Sequence, residues 1–119
     1  MKKILIVEDV EANRDLLVQL LEDRYQLVEA SNGPRGLELA LGERPDLVLL
    51  DISLPGMDGY EVARRLRADP ALGRIPLIAV TAHAMTGDQE RVFAGGFDDY
   101  IAKPIDEDEL WSNVEKYLR

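Results

Sequence analysis

With 119 residues, 46% of them hydrophobic, the chain has the apolar material for one core, and residues 1–119 read as one domain. Its 14 basic and 23 acidic residues leave a net charge of −9, which argues against direct nucleic-acid binding, since that needs a basic footprint. No apolar run approaches the ~20 residues of a membrane span, Ile4 to Val7 is too short a run for a signal-peptide core, and the lack of cysteine excludes disulfides, thiolate metal sites and cysteine nucleophiles and fits a cytoplasmic location.

Lys3 to Glu8 reads as a buried strand running into two acids, Glu8 and Asp9. A helical pattern follows, with Ala12, Leu16, Leu17, Leu20 and Leu21 on one face. Gln26 to Ala30 is a second short strand. Ser31-Asn32-Gly33-Pro34 then starts a helix whose buried stripe is Leu37, Ala40 and Leu41, ended by Gly42 and Pro45. Asp46 to Asp51 is the third strand, a continuous apolar run that ends in one carboxylate and opens into a loop with Pro55, Gly56 and Gly59.

Asp58 caps the next helix, with Glu61 three residues on as in a capping box, and Val62, Ala63 and Leu66 facing inward. Pro70 and Gly73 break the pattern before a fourth strand, Ile75 to Thr81. Ala84 to Ala94 forms a weaker helix, with Met85, Val92 and Phe93 as its few apolar positions, so it is expected to be mobile. Asp99 to Ala102 is the fifth strand. After Lys103-Pro104, Asp106 caps the last helix with Glu109, and Leu110, Val114, Tyr117 and Leu118 form its inner face, Trp111 lying at the edge.

This alternation of strands and helices implies an α/β fold, a parallel sheet with helices on both faces. A parallel sheet gathers its strand carboxyl ends on one edge, where open α/β sheets bind ligands. Glu8, Asp9, Asp51, Thr81 and Lys103 all belong to that edge. Singly, each has a plain structural use: the acids favour a helix N-terminus, Thr81 suits a strand, and Lys103 suits a surface. Jointly they suit phosphoryl chemistry. Close carboxylates favour a hard cation such as Mg²⁺, a carboxylate can become an aspartyl phosphate, and lysine with the cation neutralises the transferring group.

The segments Ile4-Leu5-Ile6-Val7-Glu8-Asp9, Asp51 to Gly59, Val80-Thr81-Ala82 and Asp99-Tyr100-Ile101-Ala102-Lys103-Pro104 resemble those of response-regulator receiver domains, in the same order and spacing. The resemblance implies a flavodoxin-like five-stranded sheet of order 2-1-3-4-5 with five helices. It also implies Asp51 as phosphoacceptor, Asp9 as a direct Mg²⁺ (or Mn²⁺) ligand, Glu8 acting through water, and the Ser53 backbone carbonyl as a further ligand. Thr81 and Tyr100 resemble the switch pair, Lys103 the phosphoryl contact, and the Lys103–Pro104 bond is expected to be cis. Glu8 stands where aspartate is commoner in the family. His83 and Pro104 border the site, and Ser53 and His83 flank the expected path of attacking water.

The implied function is that of a signalling switch that takes a phosphoryl group from a sensor histidine kinase or a histidine phosphotransfer protein. It then signals to a downstream protein through the fourth helix, fifth strand and fifth helix. Three other readings stay open: a phosphatase working through an aspartyl phosphate, against which Ser53 replaces the expected second aspartate; a constitutive binding module with an unused site; and a flavodoxin-like cofactor carrier, for which a phosphate-cradling loop is lacking.

Overall fold

The computed structural model describes residues 1–82 and 86–119. His83, Ala84 and Met85 lie outside the described residues, and with them the expectations placed on His83 and Met85. Five strands alternate with five helices: β1 (Lys3–Val7), α1 (Glu11–Leu21), β2 (Gln26–Ala30), α2 (Gly33–Glu43), β3 (Leu47–Asp51), α3 (Gly59–Ala68), β4 (Leu77–Thr81), α4 (Thr86–Ala94), β5 (Asp99–Ala102) and α5 (Glu107–Leu118). The strands form one parallel sheet in the order β2-β1-β3-β4-β5. This is the flavodoxin-like fold, and its strand order reverses between β1 and β3.

Strand alternation divides the core into two layers. Leu5, Val7, Val48, Leu50, Leu77 and Ala79 face one side, where Ala40 of α2, Val62, Ala63 and Leu66 of α3 and Val92 of α4 cover them. Ile4, Ile6, Leu47, Leu49, Ile78 and Val80 face the other, beneath Leu17 and Leu21 of α1 and Leu110 and Val114 of α5. The three inner strands β1, β3 and β4 therefore carry apolar residues at nearly every position, as a sheet covered on both faces requires.

Helix ends follow their capping chemistry. Asn32, Asp58 and Asp106 each accept a hydrogen bond from the backbone N–H three residues on, at Arg35, Glu61 and Glu109. The end of α2 differs from expectation. Gly42 lies inside the helix, and Arg44 takes the left-handed terminating conformation with φ of 46°.

The helical stripes are narrower than the sequence suggests. Ala12 and Leu16 on α1 and Leu41 on α2 are exposed, because α1 turns Leu17 and Leu21 inward and α2 packs through Gly36 and Ala40. A Cβ on Gly36 would meet Val7 Cγ2 at 2.8 Å, so the glycine lets α2 lie close on β1. On α4, Phe93 is 49% exposed, which leaves Val92 as the core anchor among its described residues. Burying one such side chain contributes about 1.5–3 kcal/mol.

Candidate functional site

The buried polar or charged residues among those described are Glu8, Asp51 and Thr81. All three stand where an apolar strand runs out: Glu8 directly after β1, Asp51 as the last residue of β3, and Thr81 as the last of β4. Register brings these ends level, since Asp51 pairs with Val80 and Thr81 with Ala102. The Lys103 N–H donates to the Thr81 carbonyl at 2.8 Å, which brings Lys103 to the same edge. Its peptide bond to Pro104 is cis, as expected; Pro104 itself is exposed.

Three carboxylates converge here. Glu8, Asp9 and Asp51 each offer an oxygen within 4.8 Å of the others. Lys103 Nζ reaches between two of them, 2.8 Å from Glu8 Oε1 and 3.2 Å from Asp51 Oδ2. Asp51 Oδ1 accepts the Ser53 N–H at 2.9 Å, so the loop after β3 fixes the carboxylate's orientation. Glu8 Oε2 accepts the Val10 N–H at 3.3 Å.

Three acids against one lysine make a site short of positive charge. Burial, with the neighbouring Asp51 carboxylate, pushes the Glu8 carboxyl up to about 7, although Lys103 pulls the other way. Burial lowers the Lys103 ammonium's affinity for its proton, but Glu8 and Asp51 outweigh this and raise it overall. A family model, the response regulator receiver domain, matches residues 4–115.

The chain belongs to the response regulator receiver domain family.

Known receivers agree with it along the whole fold. It is 45% identical over 118 residues to the polar-differentiation response regulator DivK of Brucella anthropi, covering 98% of this chain and 96% of that one. A solved response regulator from Chloroflexus aurantiacus superposes with a TM-score of 0.93 at 30% identity, covering 98% of this chain and 97% of that one. The receiver domain of a Pseudomonas aeruginosa sensor histidine kinase, solved with a magnesium ion coordinated in its active-site cleft, superposes with a TM-score of 0.91 at 34% identity, over 98% of this chain and 97% of that one.

Receiver domains bind Mg²⁺ at an acidic site, and the donor set of this receiver suits a hard cation. Glu8 Oε1 is buried and forms an ion pair with Lys103 Nζ at 2.8 Å, a lysine it shares with Asp51. Three carboxylates within 4.8 Å of one another and one lysine shared between two of them are the environment that oxygen-seeking divalent ions occupy.

The structure adds residues that strand-end reasoning did not pick out. Arg14 of α1 donates from Nη1 to the Glu8 carbonyl at 2.9 Å and holds the chain as it leaves β1. Gly59 packs on the backbone of Asp51 and Ile52, where a Cβ would meet Asp51 O at 2.5 Å. Beside Ser53 and Thr81 lies a cavity of about 250 Å³ that Tyr60 of α3 and Arg91 of α4 also line. Gly59 falls within a stretch that matched the family; Arg14 and Arg91 are ordinary helical arginines until the fold places them. Tyr100 is half-buried on β5, its ring edge-on to Phe93 of α4.

Proposed function

We propose that residues 1–119 act as one receiver domain that accepts a phosphoryl group on Asp51 and thereby changes its affinity for a protein partner. The observation that carries this reading is Asp51 itself: a buried strand-end carboxylate with Lys103 Nζ at 3.2 Å and two further acids beside it. The donor is a phosphohistidine on a sensor histidine kinase or a histidine phosphotransfer protein. One Asp51 oxygen attacks phosphorus, the new O–P bond forms as the P–N bond breaks, and the donor imidazole leaves with the electron pair.

Each remaining group has a place in that step. Lys103 pairs with an oxygen of the transferred group, and the Thr81 hydroxyl turns to bond another. Glu8, Asp9, Asp51 and the Ser53 carbonyl would hold Mg²⁺ or Mn²⁺. The cation, when bound, supplies positive charge against the phosphoryl oxygens. The chain in this reading catalyses its own phosphorylation and slow hydrolysis, with Ser53 and His83 bordering the path of the attacking water. It works in the cytoplasm through protein contacts, without nucleic acid or membrane insertion. Among the described residues, no helix is long and apolar enough to cross a membrane.

Incubation with acetyl phosphate and Mg²⁺, read by intact mass, tests the proposal. One added phosphoryl mass, lost in Asp51→Asn and on chelation, is the expected result. An unmodified chain favours the constitutive binding module, and sustained turnover of a phosphomonoester favours the phosphatase.

A further inference from the structure

Arg91 stands out among the basic residues around the site. Its guanidinium lies 4.5 Å from the centre of the Tyr60 ring, stacked as a cation on an aromatic face. Among the described residues, no carboxylate pairs with it and no acceptor takes its N–H donors. The contrast with neighbouring arginines is direct: Arg64 and Arg65 pair with Glu61, and Arg67 with Asp98. An arginine held in place by an aromatic ring, with its planar fork of donors unspent, is prepared for an oxyanion.

What that fork borders is the second observation. Arg91 lines the cavity of about 250 Å³ whose other walls include Ser53, Asp58, Tyr60, Thr81 and Asp88. Ser53, whose N–H is held by Asp51 Oδ1, and Thr81, next to the register partner of Asp51, connect the cavity to the proposed phosphoacceptor, which is not itself among the lining residues. Among the described lining residues Arg91 is the only cation, against the acids Asp58 and Asp88. The Asp58 carboxylate is occupied in part by capping α3 through the Glu61 N–H at 2.9 Å. A dianionic donor entering this cavity meets Asp58 and Asp88, which Arg91 offsets, while Lys103 serves Glu8 and Asp51.

We infer that Arg91 is a specificity residue for phosphoryl donors, favouring anionic small-molecule donors by pairing with their oxyanions in the cavity beside Asp51. This inference rests on the reading of Asp51 as phosphoacceptor. With acetyl phosphate, the Asp51 oxygen forms its bond to phosphorus, the P–O bond to the acetyl group breaks, and acetate leaves with the electron pair. Arg91 touches no reacting bond in this scheme. It raises the local concentration of the dianion and orients it, so it acts on donor capture.

The test compares acetyl phosphate, largely dianionic, with phosphoramidate, which carries less negative charge, by intact mass over time at saturating Mg²⁺. Arg91→Gln should lower the second-order rate with acetyl phosphate by about five-fold and the rate with phosphoramidate by clearly less. Arg91→Lys, which keeps the charge and loses the fork, should fall between the parent and Arg91→Gln with acetyl phosphate, and Asp88→Asn should raise the acetyl phosphate rate. The difference between donors should shrink as salt rises above about 0.1 M. Equal losses with both donors would show a structural role and overturn the inference. So would Arg91→Gln at the parent rate while the parent labels at Asp51. A parent that takes no phosphoryl mass overturns this inference together with the reading of Asp51.

Discussion

Lys103 Nζ lies 2.8 Å from Glu8 Oε1, a contact that joins the loop after β5 to the end of β1 across two intervening strands. Glu8 is 1% exposed, so its charge is balanced by this lysine in place of water. Lysine alone is insufficient, because it serves Asp51 as well.

A pH dependence follows for the metal-free protein. The Glu8 carboxyl is raised from 4.5 to about 7 in the fold, chiefly by burial. A raised folded value means that this group's contribution to stability is complete below about 4.5 and is lost as pH rises through about 7. Lys103 is raised above its ordinary value and stays charged throughout that window. Urea midpoints in chelator should therefore fall less between pH 5 and pH 8 for Glu8→Gln than for the parent. Parallel curves for the two proteins would contradict the assignment.

Gly59 sets the distance between α3 and the phosphoacceptor strand. A Cβ there would sit 2.5 Å from Asp51 O and 2.6 Å from Ile52 Cα, and neither backbone atom can swing aside. Gly59→Ala should destabilise the fold by about 1–3 kcal/mol and weaken Mg²⁺ binding, because relief requires the Asp51 loop to shift. Denaturation together with Mg²⁺ titration measures both; a variant with parental stability and parental affinity would show that the helix simply slides.

Arg67 fastens the opposite end of the sheet. Its Nε donates to Gly96 O at 2.8 Å, Nη1 to Gly73 O at 3.1 Å and Ile75 O at 2.6 Å, and Nη2 to Asp98 Oδ2 at 2.9 Å. Asp98 Oδ2 also accepts the Leu77 N–H at 2.9 Å, so one arginine ties α3 to the connections that lead into β4 and β5. Arg67→Met keeps much of the apolar stem and strands the carbonyls, and should cost about 2–4 kcal/mol by urea denaturation. Arg67→Lys should recover only part of this, since an ammonium cannot span the fork. Full recovery by lysine would mean that charge, and not planar geometry, is what the site uses.

Phe93 and Tyr100 meet edge to face, with centroids 6.0 Å apart and planes at 77°. Tyr100 packs partly against the core beneath α4, while Val92 is the described α4 residue buried in that core. In the proposed reading, a phosphoryl group on Asp51 that draws Thr81 toward it should free room for Tyr100 to move and separate it from Phe93. Hydrogen exchange with and without a phosphoryl mimic should change over 86–104, and Tyr100→Phe should keep the response better than Tyr100→Ala. Changes confined to α1 and α2 would place the switch elsewhere.

The site was legible because its chemistry lies where strands stop. Apolar runs marked β1, β3 and β4, and polar residues at their ends became Glu8, Asp51 and Thr81 on one edge. A parallel sheet forces that gathering whatever the strand order, so local pattern sufficed. Capping chemistry was equally local: Asp58 and Asp106 bond their own helix starts, within reach of three residues.

Contacts between distant segments were decided only by tertiary structure. Periodicity admitted Leu16 and Leu41 to buried stripes, but how each helix rolls on the sheet turned them outward; α2 comes close through Gly36, and that contact depends on Val7. The strand order came from family likeness, because a strand's own residues do not name its neighbours. Lys103 was expected at the site edge, yet its reach to two carboxylates, 95 and 52 positions away in sequence, exists only once β5 lies beside β4. Arg91 carries no local signal, and it gains Tyr60 and an acid-walled cavity only when α4 packs beside α3. Local patterns carry information over one or two turns of chain, whereas charge pairing and cavity shape depend on which elements the fold sets side by side.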